Sequence, residues 1–257
     1  MTSTSLPPHS STKSSSLLLV LRSGLFSLLL WLGVLVYGPL VLLLAWLPDN
    51  PRRRFIAAFA GYHNWLLRVV CGLTFVVEGR EHIPRGPAII LAKHQSTWET
   101  FALQTIFPPY VYVLKRELMW IPVFGWAMAL LHPIAIDRSA GRAAVEQVVQ
   151  QGRQRLEAGL WVTLFPEGTR MPAGTRGRYR LGGAILATAT GYPVVPVAHN
   201  AGSFWARRAM IKHPGVIRVV IGPTIQSQGK RPEALIKEVE SWIEGQMPRL
   251  EDRESTT

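Results

Sequence analysis

The stretch Ala88-Ile89-Ile90-Leu91-Ala92-Lys93-His94-Gln95-Ser96-Thr97-Trp98-Glu99 runs from five apolar residues into a polar turn and then into a helix start. The apolar run reads as a short strand. Ser96 followed three residues later by Glu99 is a capping-box pattern, in which the serine caps a helix and the glutamate bonds back to the Ser96 N–H. Trp161-Val162-Thr163-Leu164 repeats the first half, an apolar run that ends in the turn Phe165-Pro166-Glu167-Gly168-Thr169-Arg170. Outward from these two, short apolar runs alternate with helical patterns. Strands are expected at residues 73–77, 88–92, 110–114, 134–136, 161–165, 194–199 and 217–221, and helices at 97–106, 123–131, 142–157, 182–190 and 232–247. Gly159 is placed to stop the third of these helices. Strands alternating with helices imply an α/β layer fold, a largely parallel or mixed sheet flanked by helices. In such sheets ligands bind beyond the carboxyl ends of the strands. His94, Lys115, Arg138 and Glu167 each follow a strand, which points to one shared site.

At 257 residues the chain can bury a full core. Lys and Arg number 28 against 16 Asp and Glu, a balance that suits nucleic acid, an anionic membrane or phosphorylated small molecules. The basic residues are spread out and no zinc-finger or RNA-binding pattern accompanies them, so the membrane and phosphate readings are favoured over nucleic acid. The single cysteine, Cys71, rules out an internal disulfide and a cysteine-cluster metal site. Among Val69, Val70 and Leu73 it reads as a small core residue.

The N-terminus departs from the rest. Residues 1–16 are rich in Ser, Thr and Pro and are expected to be disordered. Residues 23–48 carry no charge, a run longer than the ~20 residues that cross a bilayer as a helix. Pro39 lies inside it, where its ring removes a backbone donor. Arg52-Arg53-Arg54 follows, and the positive-inside rule puts that end and everything after it on the cytoplasmic side. Residues 55–75 hold Phe55, Ile56, Phe59, Trp65, Leu66, Leu67 and Val70 at roughly helical spacing, as an interfacial amphipathic helix would. Three parts result: a disordered start over 1–16, a membrane-embedded helical segment over 17–72, and an α/β domain over 73–257.

Of the seven histidines, only His94 has a carboxylate close by in a strand-to-helix turn, as a general base with its own orienting group requires. Glu99 has two compatible readings: a helix cap favoured by the positive helix N-terminus, or the acid that holds His94 in one tautomer. Ser96 lies two residues from His94 with no Gly-x-Ser-x-Gly elbow, which argues against a seryl nucleophile. Arg170 puts a guanidinium after a strand, a group suited to a phosphate. Arg138, after Asp137, reads either the same way or as half of a surface ion pair. The alternating Arg176, Arg178 and Arg180 read as a solvated loop. The sequence holds no metal cluster, Walker loop or dinucleotide fingerprint.

His94-x4-Glu99, Ile134-Ala135-Ile136-Asp137-Arg138, Phe165-Pro166-Glu167-Gly168-Thr169-Arg170 and Val195-Pro196-Val197 stand in the order of four motifs of the glycerophospholipid acyltransferases. Over roughly residues 71–223 the chain resembles the lysophosphatidic acid acyltransferases. The family pattern is His-x4-Asp, so Glu99 departs from it by one methylene. The resemblance implies the glycerolipid acyltransferase fold, preceded by a membrane helix or two-helix hairpin that either spans the bilayer or enters one leaflet. It implies His94 as the base and Glu99 as its partner. Arg138, Arg170 and Lys115 would surround the acceptor phosphate, with Glu167, Gly168 and Thr169 completing the substrate site, Glu167 by orienting neighbouring groups.

The activity it implies is transfer of a fatty acyl group from acyl-CoA or acyl carrier protein to the sn-2 hydroxyl of lysophosphatidic acid, giving phosphatidic acid. The acyl donor is then a substrate, and no resident cofactor is called for. The alternatives are another lysolipid acceptor such as a lyso-ornithine lipid, a membrane-bound lipid hydrolase in which His94 activates water, and a non-enzymatic protein that binds anionic lipid.

Overall fold

The structure, a computed structural model, describes residues 11–122, 124–137 and 139–252. The apolar runs become seven strands: β1 Leu73–Glu78, β2 Ile89–Ala92, β3 Tyr110–Lys115, β4 Ile134–Ile136, β5 Trp161–Leu164, β6 Val194–His199 and β7 Gly215–Ile221. They form one sheet in the order β1-β7-β6-β2-β5-β3-β4. Neighbours are parallel except β6 and β7. The sheet is therefore mixed: β6, β2, β5, β3 and β4 share one direction, and the edge pair β7 and β1 runs against them.

Alternation along each strand sends successive side chains to opposite faces. In β2, Ile89 and Leu91 face a core closed by helices α5 Arg142–Glu157, α6 Gly182–Thr190 and α8 Pro232–Glu251. Ala88, Ile90 and Ala92 face the other way, onto Trp98, Ala102 and Leu103 of α3 Trp98–Ile106. Both faces are covered, which is why β2 and β5 are buried at every position. Two short helices complete the body: α4 Phe124–Ala129, which lies within the expected 123–131, and α7 Ala201–Phe204, a single turn that the sequence pattern does not announce.

The uncharged N-terminal run forms α1 Ser11–Leu43, and α2 Asp49–Leu66 follows it. Helix α1 takes in residues 11–16 of the segment expected to be disordered; residues 1–10 lie outside the described ones. Tyr62 Oη donates to the Leu29 carbonyl at 3.0 Å, and Tyr37 stacks on Phe55 at 4.7 Å, so the two helices lie antiparallel as a hairpin. Tyr62 passes so close to Gly33 that a Cβ there would stand 2.6 Å from its ring. The turn is closed by Arg52, whose guanidinium donates to the Ala45 and Leu47 carbonyls just past the end of α1. One of the three arginines thus satisfies open carbonyls near the helix end.

Lys212 fastens the hairpin to the body. Its Nζ donates to Ser27 Oγ at 3.0 Å, its backbone amide bonds Ser23 Oγ, and its ammonium lies over the Phe26 and Trp205 rings. Within α1, residues 16–43 are long and apolar enough to cross a membrane, and most of the large side chains stay exposed, among them Leu17, Leu21, Leu28, Trp31 and Leu35.

Candidate active site

Register brings the two motifs level. Leu91 of β2 pairs with Leu164 of β5, so the chain leaves both strands side by side. The His94 ring lies flat on Phe165, with centroids 4.0 Å apart and an angle of 13°. The His94 backbone N–H points to Glu167 Oε1 at 3.4 Å, and its carbonyl accepts from the Met171 amide at 2.7 Å.

One carboxylate serves both readings of Glu99. Its Oε1 accepts from His94 Nδ1 at 2.8 Å, from the Gln95 amide at 2.9 Å and from the Ser96 amide at 2.8 Å. Oε2 takes the Ser96 amide at 3.0 Å. The return bond of the capping box is present, but the serine's own bond goes from the Trp98 amide to Ser96 Oγ at 3.2 Å, one residue short of Glu99. Ser96 is fully buried. Burial by itself would raise the Glu99 carboxyl; His94, His199 and the Ser96 amide outweigh it and hold the group below its ordinary value. An ionised carboxylate only accepts, so Nδ1 carries the His94 proton and Nε2 keeps a lone pair. The ring is about one-seventh exposed, 14%, and it lines a cavity of about 320 Å³.

That cavity lies beyond the carboxyl ends of β5, β3 and β4. Its wall is apolar, with Val113, Ile136, Val145 and Val148 among the lining residues, and among the described residues its cation is Arg180. Gly168 fits beneath that side chain: at φ +69° it holds a left-handed conformation, and a Cβ there would stand 3.0 Å from Arg180 Nε.

Of the residues singled out from sequence, His94, Glu99, Glu167 and Gly168 converge. Arg170 is partly buried, its Nε without a hydrogen-bond partner. Burial lowers its guanidinium, with Glu99 acting in the opposite sense. It does not line the cavity. Thr169 is exposed. Lys115 ends β3 in solvent, 3.2 Å from Glu117, and does not line the cavity either. Arg138 lies outside the described residues. Arg180, grouped with a solvated loop by its alternation with Arg176 and Arg178, is the cation that reaches the cavity.

Sequence reasoning also misses the support behind the site. Lys93 is fully buried between two carboxylates, 2.7 Å from Glu244 of α8 and 3.4 Å from Glu167. Tyr179 donates to Glu244 at 2.8 Å. Burial raises the Glu167 carboxyl to about 7, the Lys93 charge opposing it. Helix α8 holds the loop that follows the Phe165-to-Arg170 turn at two further points, Arg176 to Glu240 and the Gly174 amide to Glu251. His199 accepts the Ala201 amide at Nδ1, which leaves its Nε2 proton to donate to the Lys93 carbonyl at 2.8 Å. The one signal in the sequence was Lys93 itself, a charge set directly at the end of a buried strand. Among the described residues no three His, Cys, Asp or Glu side chains gather to hold a metal ion.

A sequence model of the acyltransferase family matches residues 74–200. The chain is 46% identical to a 1-acyl-sn-glycerol-3-phosphate acyltransferase of Pseudomonas aeruginosa over 90% of this chain and 91% of that protein. The chain belongs to the 1-acyl-sn-glycerol-3-phosphate acyltransferase family. It is an acyltransferase, and the fold agrees. The crystal structure of the 1-acyl-sn-glycerophosphate (LPA) acyltransferase PlsC from Thermotoga maritima superposes with a TM-score of 0.76 at 25% identity, over 94% of this acyltransferase and 98% of that chain. A Saccharomyces cerevisiae relative named 1-acyl-sn-glycerol-3-phosphate acyltransferase is 35% identical over 56% of this chain and 48% of its own length.

Proposed function

We propose that the protein moves a fatty acyl group from acyl-CoA or acyl carrier protein to the sn-2 hydroxyl of lysophosphatidic acid at a membrane, forming phosphatidic acid. The observation that carries this reading is the His94 and Glu99 pair, its free Nε2 placed at a mostly apolar cavity that also holds Arg180. His94 Nε2 takes the acceptor's hydroxyl proton as the oxygen attacks the thioester carbonyl. Collapse of the tetrahedral intermediate breaks the carbon–sulfur bond, and the imidazolium returns the proton to the departing thiolate. Glu99 offsets the positive charge that His94 carries between these steps. No acyl-enzyme is needed, because the thioester is already activated and Ser96 Oγ is buried and bonded.

Arg180 and Arg170, with Arg138, supply cations for the acceptor phosphate, and Lys115 adds charge at the rim. Glu167 repels phosphate; its part is to hold Lys93 and the His94 amide. The apolar wall suits an acyl chain.

Residues 17–72 form the membrane-embedded part and residues 73–257 the catalytic domain, on the cytoplasmic face that Arg52-Arg53-Arg54 favours. Both ends of the hairpin touch the α/β body. Lys212 bonds Ser23 and Ser27 of α1, and Arg53 and Arg54 of α2 line a pocket with Phe107 and Tyr110. A hairpin tied to the body through both of its helices supports entry into one leaflet over a span.

Purified protein given labelled acyl-CoA or acyl carrier protein and a panel of lysolipids tests the assignment. Labelled phosphatidic acid is the expected product. Free fatty acid as the main product, or transfer to a different lysolipid alone, would overturn it.

A further inference from the structure

The turn that leaves β3 exposes an apolar surface unlike the rest of the α/β body. Among the described residues after Gly72, the large hydrophobic side chains that stand exposed are Val76, Leu118, Trp120, Ile121, Trp126 and Met210. Four of these six fall within residues 118–126. Trp120 is 67% exposed and Trp126 54%. A soluble surface does not gather two tryptophans, an isoleucine and a leucine without a partner to cover them.

Two observations say what that partner is. The first is continuity. Helix α4 packs against α1, and its Ala127 and Met128 share an apolar cleft with Val34, Tyr37 and Val41 of α1. The exposed face of α1 adds Trp31, Leu35, Val36, Leu40 and Leu43, so the turn extends the surface of the most hydrophobic helix in the molecule. The second is charge. Lys115 and Arg116 open the turn, both about half exposed, Lys115 beside Glu117 and Arg116 beside Asp137, in a chain of formal charge +12. Tryptophan bodies beside lysine and arginine are the side chains that settle at the headgroup level of a bilayer containing anionic lipid.

We propose that Leu118, Trp120, Ile121 and Trp126 form a second membrane-inserting element, seated in the same leaflet as the hairpin. Lys115, at the head of the turn, ends the strand whose Val113 lines the His94 cavity. A lysolipid leaving the bilayer beside this turn therefore has a short path to the site. The proposal rests on the membrane reading given above and adds a location to it.

Single cysteines at these positions test it, because Cys71, the one native cysteine, is buried. Trp120→Cys, Ile121→Cys and Trp126→Cys are labelled with an environment-sensitive fluorophore in the full chain and reconstituted into vesicles of phosphatidylcholine and phosphatidylglycerol. Lys237→Cys, exposed on α8, is the control. The three probes should shift to the blue and be quenched by nitroxide-bearing acyl chains, while the control is quenched by aqueous iodide alone. Quenching by iodide alone at residues 120, 121 and 126, with the hairpin still vesicle-bound, overturns the proposal and leaves the hairpin's own attachment standing.

Activity gives a second reading. Trp120→Ser with Trp126→Ser should raise the KM for vesicle-borne lysolipid by about tenfold or more, since each ring loses an apolar contact. Turnover on a short-chain, monomeric lysolipid should be unchanged. A rise confined to the acyl-donor KM would mean that this surface receives the donor's carrier instead, and the proposal would fail. Loss of transfer by the unsubstituted protein would refute the acyltransferase reading while leaving the quenching result intact.

Discussion

Replacing Glu99 with glutamine separates its cap role from its charge. The carboxylate oxygens are unequal: Oε1 takes three donors, while Oε2 takes only the Ser96 amide at 3.0 Å. Glutamine will therefore put its carbonyl at the Oε1 position and its NH2 at the Oε2 position, where it faces one backbone donor. The cost to stability is about 1–2 kcal/mol, the scale of one strained hydrogen bond. The His94 tautomer survives, because Nδ1 still meets an acceptor. What disappears is the negative charge beside the imidazolium formed during transfer. With N and O 2.8 Å apart, the two charge centres stand about 4 Å apart, and at an effective dielectric of about 20 they attract by about 4 kcal/mol. That is about a thousandfold in kcat. Glu99→Asp keeps the charge but loses one methylene of reach, so it cannot hold both His94 and the amides; an intermediate kcat is expected. Thioester cleavage and labelled lipid product give kcat, and thermal unfolding gives stability. Near-parent kcat in Glu99→Gln would refute the electrostatic argument and leave Glu99 as a cap.

Three further outcomes follow from the same geometry. His94→Ala should lower kcat by about 10²–10⁴-fold or more with an unchanged melting temperature; near-parent turnover in a detergent assay would remove His94 from the mechanism. Arg180→Ala should raise the KM for lysophosphatidic acid through loss of a charge-assisted bond of about 1.5–3 kcal/mol, and by more than Arg170→Ala, since only Arg180 lines the cavity. A larger effect from Arg170, or one confined to the acyl donor, would reverse that ranking. Glu167 keeps its proton to about pH 7 in the folded protein, against 4.5 for an ordinary glutamate. The folded state then binds more protons between those values, so stability falls as pH rises through that window, by on the order of 3 kcal/mol, and levels off above it. Glu99 acts outside the window: its charge stabilises above about 4.5, and that contribution is lost as the pH falls further. Glu167→Gln should flatten the slope between about 4.5 and 7, which melting temperatures across that range will show.

The sequence by itself determined the strands, because each is a short apolar run bounded by polar or glycine-containing turns. The observed ends lie within two residues of those runs. The His94 and Glu99 pair was legible as a candidate, five residues apart across a strand-to-helix turn, but the same spacing fitted a helix cap, and in the structure one carboxylate makes both sets of bonds. Arg180 was not legible. Arg176, Arg178 and Arg180 look alike in sequence, and only the fold separates them, by tying Arg176 to Glu240 of α8 and laying Arg180 over Gly168.

Lys93 was legible only as a charge at the end of an apolar strand. A lysine after a strand reads as a solvated charge until α8, some 150 residues later, supplies Glu244 and buries it. Arg170 matched the motif, yet it does not line the cavity; it is partly buried, within electrostatic reach of Glu99 and Arg207. The hairpin's composition marked it as lipid-seeking, but its lie along the body depends on Lys212 and Trp205 meeting Ser23, Phe26 and Ser27. Local pattern fixes what neighbouring residues do to one another. Which distant charge neutralises a buried one, and which of several arginines lines the cavity, depends on contacts between segments far apart in the chain, and those exist only once the sheet and its helices have assembled.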